Sequence, residues 1–291
     1  METLRQIFAP DFLLRNSVYT SVLIGFACPL VGVFLVLRRL VFMGVALPQI
    51  SSTGIVLALT APAWFGFHVA GGHGLAFAGA LVFSLGAILV LALLERRGRG
   101  LPEGRLGAAY VVAAALSILL LSQNRYAELG WLDLLKGEVI AISNFDLGLT
   151  VGMLAVVLVV LGLFHKELLL VSFDRTMAIT LGKRVLIWDG LLYLLIGLTV
   201  SLAVLSVGPL IAFGFLLIPA LTAHRFARNM RQFTVFASLI GGTAAFGGFW
   251  LAYRWDLPVG PTDVVLLGVV ATVAWPLGKL FSKGSNGKRS S

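Results

Sequence analysis

The chain has 291 residues, of which 59% are hydrophobic and only 12% are charged. A soluble domain needs about 25% charged residues to cover its surface, so the composition excludes a soluble globular protein and predicts a polytopic membrane protein. The formal net charge of +9 does not indicate a nucleic-acid partner, because the basic residues lie between apolar runs and form no soluble basic face.

Nine apolar runs follow one another along the chain and predict helices. The predicted helices are 17–37, 44–65, 74–94, 106–122, 148–165, 185–205, 209–223, 233–252 and 262–280. A spanning helix needs about 20 apolar residues, so 209–223 is short, and Gly208 and Pro209 join it to the preceding helix without a polar linker. The sequence therefore predicts an all-α membrane bundle of eight or nine transmembrane helices, with a short or re-entrant segment near 206–223.

The two ends of the chain are predicted to lie outside the spans. Residues 1–16 carry scattered charges and no cleavage site after a short apolar core, which favours an interfacial segment over a signal peptide. Residues 1–280 are predicted to form a single transmembrane domain, followed by a polar tail at 281–291. Cys28 is the lone cysteine, so an intramolecular disulfide is excluded.

Basic residues between the spans indicate the orientation. With the N-terminus outside, most of the 22 lysines and arginines fall in the inner connections, including Arg38 and Arg39. Cytoplasmic connections of membrane proteins carry this excess. The C-terminal tail is therefore predicted to be cytoplasmic.

Sequence patterns of catalysis are missing. The chain contains no phosphate-binding G-x-x-x-x-G-K-[ST] loop, no H-E-x-x-H and no Cys/His cluster of metal-ligand spacing. The spans hold almost no ionisable residues, except Asp189 near an inner end and Asp263 near an outer end. Because secondary transporters place such residues at mid-membrane, the sequence favours a non-enzymatic, pore-forming subunit that is powered by a partner.

An inner connection offers a contact segment for such a partner. The segment SFDRTMAITLGKR (172–184) places Asp174, Ala178 and Gly182 at i, i+4 and i+8. On one helix these positions form a single stripe, and small residues there would let a partner surface approach closely. The alternative is an ordinary solvated connection between two spans.

Five stretches resemble, in order and spacing, the ABC-3 permeases, which are membrane subunits of ABC transporters for zinc, manganese and iron. The stretches are VGVFLVLRRLVFMGVAL (31–47), KGEVIAISNFDL (136–147), SFDRTMAITLG (172–182), VGPLIAFGFLLIPALTAHRFAR (207–228) and DLPVGPT (256–262). The resemblance covers nearly the whole chain. It implies a permease in the cytoplasmic membrane of a bacterium or archaeon.

The resemblance also implies partners. A second permease copy would form a homodimer in the membrane lipid, on a cytosolic ATP-binding subunit that holds ATP and Mg²⁺, while this chain binds no cofactor. A solute-binding protein outside would deliver the cargo. Asp174, Ala178 and Gly182 would then belong to the helix that couples the permease to the ATPase.

One departure from the family pattern concerns the metal path. In the family, a glycine after a basic pair usually opens a pattern such as G-D-A-L-S-H-A, whose aspartate and histidine hold a divalent cation. In this chain the same register reads GVALPQI (44–50), with Val45 and Gln49 at those two positions. Valine cannot ligate a metal, and glutamine offers a neutral carbonyl that suits hard cations. No metal site is therefore predicted on the path.

Other polar and small residues have two interpretations each. Ser52 and Thr53 line the path or join helices. His68 and His73 capture a soft cation in an outer loop or are ordinary interfacial residues. Small-xxx-small pairs allow close helix packing within the chain or across a dimer, and they include Gly241/Ala245 and Gly248/Ala252.

The sequence thus predicts the permease subunit of an ATP-driven importer for a divalent transition metal or its chelate. Two alternatives stay open. One is the same importer scaffold with a non-metal cargo, and the other is a membrane scaffold or sensor that binds an ATPase without transport.

Overall fold

The computed structural model describes residues 14–64, 73–96, 102–122 and 144–286. These residues form helices and contain no strand. The helices are α1 (Arg15–Leu37), α2 (Val41–Trp64), α3 (His73–Arg96), α4 (Pro102–Ser122), α5 (Asn144–Leu163), α6 (His165–Phe173), α7 (Arg175–Thr180), α8 (Val185–Val207), α9 (Pro209–His224), α10 (Met230–Trp255) and α11 (Val259–Asn286).

The predicted all-α membrane bundle is confirmed. In the described residues, seven helices are long and apolar enough to cross a membrane, and the number is eight when α5 and α6, which meet at a bend of 69°, are counted as one broken span. The helix α9 has only 16 residues and corresponds to the predicted short segment. Each of the nine predicted helices matches one observed helix, because apolar length and basic interruptions are local signals.

The short helix α9 lies inside the bundle. It packs against α1, α2, α8, α10 and α11. Gly208 turns the chain between α8 and α9 with a φ of 85°, a value that favours glycine, and Pro209 begins α9 at a position where no backbone donor is needed. A helix that is too short to span is tolerated here because neighbouring helices surround it.

Glycines let α1 approach two of its neighbours at backbone distance. A Cβ at Gly25 would lie 2.9 Å from the carbonyl oxygen of Gly241 in α10, and a Cβ at Gly32 would overlap the carbonyl oxygen of Leu216 in α9. Gly248 of α10 likewise packs against Asp263 of α11. The small residues of α10 therefore serve packing within the chain.

The outer helices are much less buried than the central ones. In α1, 67% of the most apolar window is buried inside the structure, whereas the value is 22% for α3, α4 and α11. Side chains such as Val82, Ile118 and Val265 point away from the bundle and are more than 60% exposed. These faces are available for lipid or for another membrane subunit.

The ends of the chain differ in part from the predicted limits. Of the predicted interfacial segment 1–16, only residues 14–16 are described, and α1 begins within it at Arg15. At the other end α11 continues to Asn286, so the helix includes six residues of the predicted polar tail. The remainder of both segments lies outside the described residues.

Candidate functional site

The first turns of α2 contain the four residues that were predicted to line a path. Val45 and Gln49 are half-buried, and Ser52 and Thr53 are buried. Pro48 lies inside α2, and the helix continues through it to Trp64. The structure thus keeps these side chains on one helix, which we call the polar segment of α2 (Val45–Thr53).

Hydroxyl groups of the polar segment join α2 to its neighbours. The Thr53 hydroxyl lies 2.9 Å from both the Ser117 hydroxyl and the Ala113 carbonyl oxygen of α4. Ser51 donates a hydrogen bond to the Ala80 carbonyl oxygen of α3 at 3.3 Å. Ser52 is buried, and its hydroxyl has no hydrogen-bond partner in the described residues. Thr53 is therefore part of a helix–helix contact, which is the second of its two interpretations.

The described residues contain no group of three or more His, Cys, Asp or Glu side chains that could hold a metal ion. His73 is the first residue of α3. His68 lies outside the described residues. The role of the two histidines as cation ligands stays a prediction.

The predicted contact segment folds as a short helix between α6 and α8. Asp174 caps α7 by accepting a hydrogen bond from the Met177 backbone N–H at 2.8 Å. After Thr180 the chain leaves the helix through Gly182, which has a φ of 72°. The Gly182 and Lys183 N–H groups donate to the carbonyl oxygens of Ile179 and Ala178, respectively, which is the Schellman arrangement of a helix end.

The stripe of small residues that the spacing predicts does not form. The helix ends before Gly182, and Ala178 is fully buried against Val171 and Val185. Asp174, Ala178 and Gly182 instead determine where the segment begins, packs and ends. Their role in contacting a partner stays a prediction, and in this geometry they would act by shaping the segment.

Large apolar side chains occupy the exposed surface of the segment. Phe173 is 73% exposed, and Met177, Ile179 and Leu181 are each more than half exposed. Met177 and Ile179 lie in α7, and Phe173 and Leu181 lie on either side of it; we call these four residues the apolar surface of α7. The stripe of small residues predicted from the sequence did not include them, although the large apolar residues at every second position, 177, 179 and 181, were a signal.

A buried carboxylate joins three elements next to this segment. Asp189, near the start of α8, pairs with Arg38 at the end of α1 (Nη1–Oδ1 2.7 Å) and with Arg175, the first residue of α7 (Nη2–Oδ2 3.2 Å). Arg38 Nε also donates to the Ser172 hydroxyl at 3.0 Å, and its guanidinium lies 5.7 Å from the centre of the Tyr193 ring. We call Arg38, Arg175 and Asp189 the ionic cluster. Asp189 was recognisable from the sequence as ionisable, but its buried partner Arg38 is distant in sequence and was not.

Comparisons with known proteins agree with this geometry. The model of a family described as "ABC 3 transport family" matches residues 11–277. The chain is 26% identical over 262 residues to "Manganese import system permease protein ScaB" of Streptococcus gordonii. This alignment covers 90% of each of the two proteins. It is 26% identical over 280 residues to "Manganese transport system membrane protein MntC" of Halalkalibacterium halodurans, which covers 95% of this chain and 92% of that protein. The structure titled "PsaBC from Streptococcus pneumoniae in complex with Fab" superposes with a TM-score of 0.79 at 25% identity, covering 94% of each chain.

Proposed function

Because the chain belongs to the ABC 3 transport family, we propose that it is the permease subunit of an ATP-driven importer whose cargo is a divalent transition-metal ion or a chelate of one. The observation that carries this proposal is the family match over residues 11–277. Relatives named for manganese import support the class of cargo. The all-helical bundle supports a role as a membrane subunit, with catalysis of ATP hydrolysis, and hence ATP and Mg²⁺, on a separate partner.

The end of the bundle that carries the ionic cluster faces the cytoplasm in this proposal. The charge asymmetry of the connections supports this orientation, because Arg38 and Arg39 lie between α1 and α2 and Lys183 and Arg184 lie between α7 and α8. The C-terminus is then cytoplasmic, and the protein is a multi-pass protein of a bacterial or archaeal cytoplasmic membrane.

The apolar surface of α7 is the contact for the ATP-binding subunit in this proposal. A connection that exposes Phe173, Met177 and Leu181 next to charged residues is suited to burial in a groove of a soluble partner. The buried Ala178 and the helix stop at Gly182 hold this surface against α8. These contacts support transmission of a movement of the segment to α8.

The other partners follow from the same role. A solute-binding protein delivers the cargo from outside, and a second copy of the permease completes the path. The exposed apolar faces of α3, α4 and α11 support burial against lipid and against that second copy. Homodimerisation is the simplest arrangement for a subunit whose single copy has such faces.

A second candidate for the cargo is a non-metal solute. The observation that favours it is the pair Val45 and Gln49, which replaces the ligands that the family usually carries on this helix. The absence of a group of three ligands among the described residues is consistent with either a chelated metal or an organic cargo. A metal cargo would take its affinity from the binding protein outside.

Transport by the reconstituted complex tests the proposal. The permease is placed in proteoliposomes with its ATP-binding subunit and its solute-binding protein, and uptake of radioactive Mn²⁺ is measured. We expect uptake that requires ATP and all three proteins. Binding of the ATPase without ATP-driven uptake of manganese, zinc or iron would defeat the metal-importer proposal, and uptake of an organic solute would select the second candidate.

Co-purification tests the contact surface. Replacement of the exposed Met177 by aspartate places a charge on the apolar surface of α7, whereas Thr176→Asp places the same charge on an exposed polar position beside it. We expect Met177→Asp to reduce recovery of the ATPase with the permease much more than Thr176→Asp does. Equal recovery with both variants would contradict a contact through this surface.

A further inference from the structure

The two ion pairs of the ionic cluster differ in burial and length. The Arg38 side chain is 10% exposed and lies 2.7 Å from Asp189, whereas the Arg175 side chain is 67% exposed and lies 3.2 Å from the same carboxylate. Arg38 is also held by Ser172, whose hydroxyl donates to the Leu168 carbonyl oxygen at 2.6 Å. The pair with Arg38 is therefore embedded in the fold, and the pair with Arg175 is open to solvent.

The cluster is connected along the chain both to α7 and to the start of α2. Arg175 is the first residue of α7. Arg38 ends α1, and only Arg39 and Leu40 separate it from α2. Arg39 has a φ of 58°, and its N–H and that of Leu40 close the end of α1. A movement of α7 relative to Asp189 is thus connected through few bonds to the start of the helix that carries Val45 and Gln49.

The arrangement of charges is not what stable packing requires. Two guanidinium groups share one carboxylate, and the Arg38 Nη2 group is buried with no hydrogen-bond partner in the described residues. A buried ion pair rarely adds stability over apolar packing of the same volume. Two cations of unequal burial that share one carboxylate suit an element with two arrangements, because the exposed Arg175 can leave while the buried Arg38 stays.

We propose that Asp189 is a positioning residue that couples the ATPase-facing segment to α2, with Arg38 as its permanent partner and Arg175 as the partner that it releases and regains during the transport cycle. This rests on the proposed role of the apolar surface of α7. The ATPase moves α7, the exposed Arg175 pair opens or closes, and the buried Arg38 pair carries the displacement to the junction of α1 and α2.

The transport ratio of Arg175 variants tests this proposal. In proteoliposomes with the ATPase and binding protein, Mn²⁺ transported per ATP hydrolysed is measured for wild type, Arg175→Gln, Arg175→Lys and Lys166→Gln. Lys166 is an exposed cation of α6, so its variant controls for lost charge at the same end. We expect Arg175→Gln to lower the ratio roughly twofold to fivefold, as for loss of a partly exposed ion pair.

Two further readouts separate positioning from simple support. We expect Arg175→Gln to keep the melting temperature and the co-purified ATPase of wild type, Arg175→Lys to restore most of the ratio, and Lys166→Gln to match wild type. A ratio for Arg175→Gln equal to that of wild type, or a fall that accompanies an equal loss of ATPase binding, would overturn the proposal.

A measurement on the permease alone keeps the proposal independent of transport. Spin labels at the exposed positions Thr180 and Arg231, in a Cys28→Ala background, report the distance between α7 and the start of α10. We expect a broader distance distribution in Arg175→Gln than in wild type or Lys166→Gln, and identical distributions would overturn the proposal. Failure of wild-type Mn²⁺ uptake would instead defeat the proposed cargo and leave this test valid.

Discussion

The polar segment of α2 and the ionic cluster use polar side chains in opposite ways. The polar segment contains neutral groups, and Ser51 and Thr53 hydrogen-bond to neighbouring helices. The ionic cluster contains full charges, and it lies where α1, α7 and α8 meet at one end of the bundle. Charges inside a bilayer are costly and are retained for function. Of these two regions, the ionic cluster at the end of the bundle therefore carries the full charges, and the candidate path segment of α2 is neutral.

Among the variants of the two regions, we expect the replacement of Arg38 to lower the stability of the permease the most. Replacement of Arg38 by leucine leaves the carboxylate of Asp189 buried with only the exposed Arg175 as a partner. Removing one member of a buried ion pair costs about 3–5 kcal/mol. We expect a large fall in the melting temperature of the purified permease in detergent.

Two control variants sharpen that experiment. Arg39→Asn removes the neighbouring exposed charge and keeps a residue that adopts the left-handed conformation with little strain, so it should melt like wild type. The double variant Arg38→Leu/Asp189→Leu removes the unpaired carboxylate and should recover part of the lost stability. A double variant less stable than Arg38→Leu would contradict an ion pair as the source of the effect.

Overpacking of the contact between α1 and α9 should cause the next largest loss of stability. A Cβ at Gly32 would overlap the Leu216 carbonyl oxygen, which forces α1 away from α9. Overpacking typically costs about 1–3 kcal/mol, so Gly32→Ala should lower the melting temperature. Gly107→Ala is the matched control, because a Cβ there meets no atom within 4 Å. It should be neutral or stabilising by up to about 1 kcal/mol, and a similar loss in both variants would contradict the packing argument.

The helices of both regions were predictable from the sequence, because apolar runs and basic interruptions are local properties. The prediction of a helix at 209–223 agrees with Pro209–His224, and the Gly208–Pro209 joint indicated its start. The central position of α9 was not predictable, because it depends on contacts with α1 and α2, which are distant in sequence. The end of α11 at Asn286 was also missed, because the polar tail carries no apolar signal of its own.

The sequence predicted which segment forms the candidate site better than it predicted which residues of that segment are exposed. The segment 172–184 was predicted as a helix-compatible connection between two spans, and the spacing of Asp174, Ala178 and Gly182 suggested one continuous helix. The structure buries Ala178 against Val185 of the next helix and ends α7 at Thr180. Which face of a short connecting helix is buried depends on the spans that flank it, and this information is not contained in the spacing.

Introducing ligand side chains into the neutral polar segment of α2 should give it a metal site. Val45→Asp together with Gln49→His restores a carboxylate and an imidazole four residues apart on α2, where side chains are neighbours. We expect the double variant to bind Zn²⁺ or Mn²⁺ at least about tenfold more tightly than the native permease, which corresponds to roughly 1.4 kcal/mol. Equilibrium dialysis with the purified proteins measures this difference.

The single variant Gln49→Ala provides the opposing test. If the native path lacks a metal site, this variant should bind no less metal than wild type does. Stoichiometric metal binding by the native permease that is lost in Gln49→Ala would show that Gln49 is a ligand and would contradict a neutral path.

Removal of the Thr53 hydroxyl tests whether this residue of the polar segment serves packing or lines the path. We expect it to change stability the least. Thr53→Val removes the hydroxyl that contacts Ser117 and Ala113 while it keeps the shape of the side chain. Hydrogen bonds between membrane helices contribute about 0.6 kcal/mol on average, and Ser117 keeps its own bond to the Ala113 carbonyl oxygen at 3.0 Å. We therefore expect a slightly lower melting temperature and unchanged Mn²⁺ uptake.

Ser52→Ala is the partner experiment, because the buried Ser52 hydroxyl has no hydrogen-bond partner in the described residues. If Ser52 faces the cargo, its variant should lower uptake without lowering stability, whereas a loss of uptake in Thr53→Val at unchanged melting temperature would assign Thr53 to the path instead.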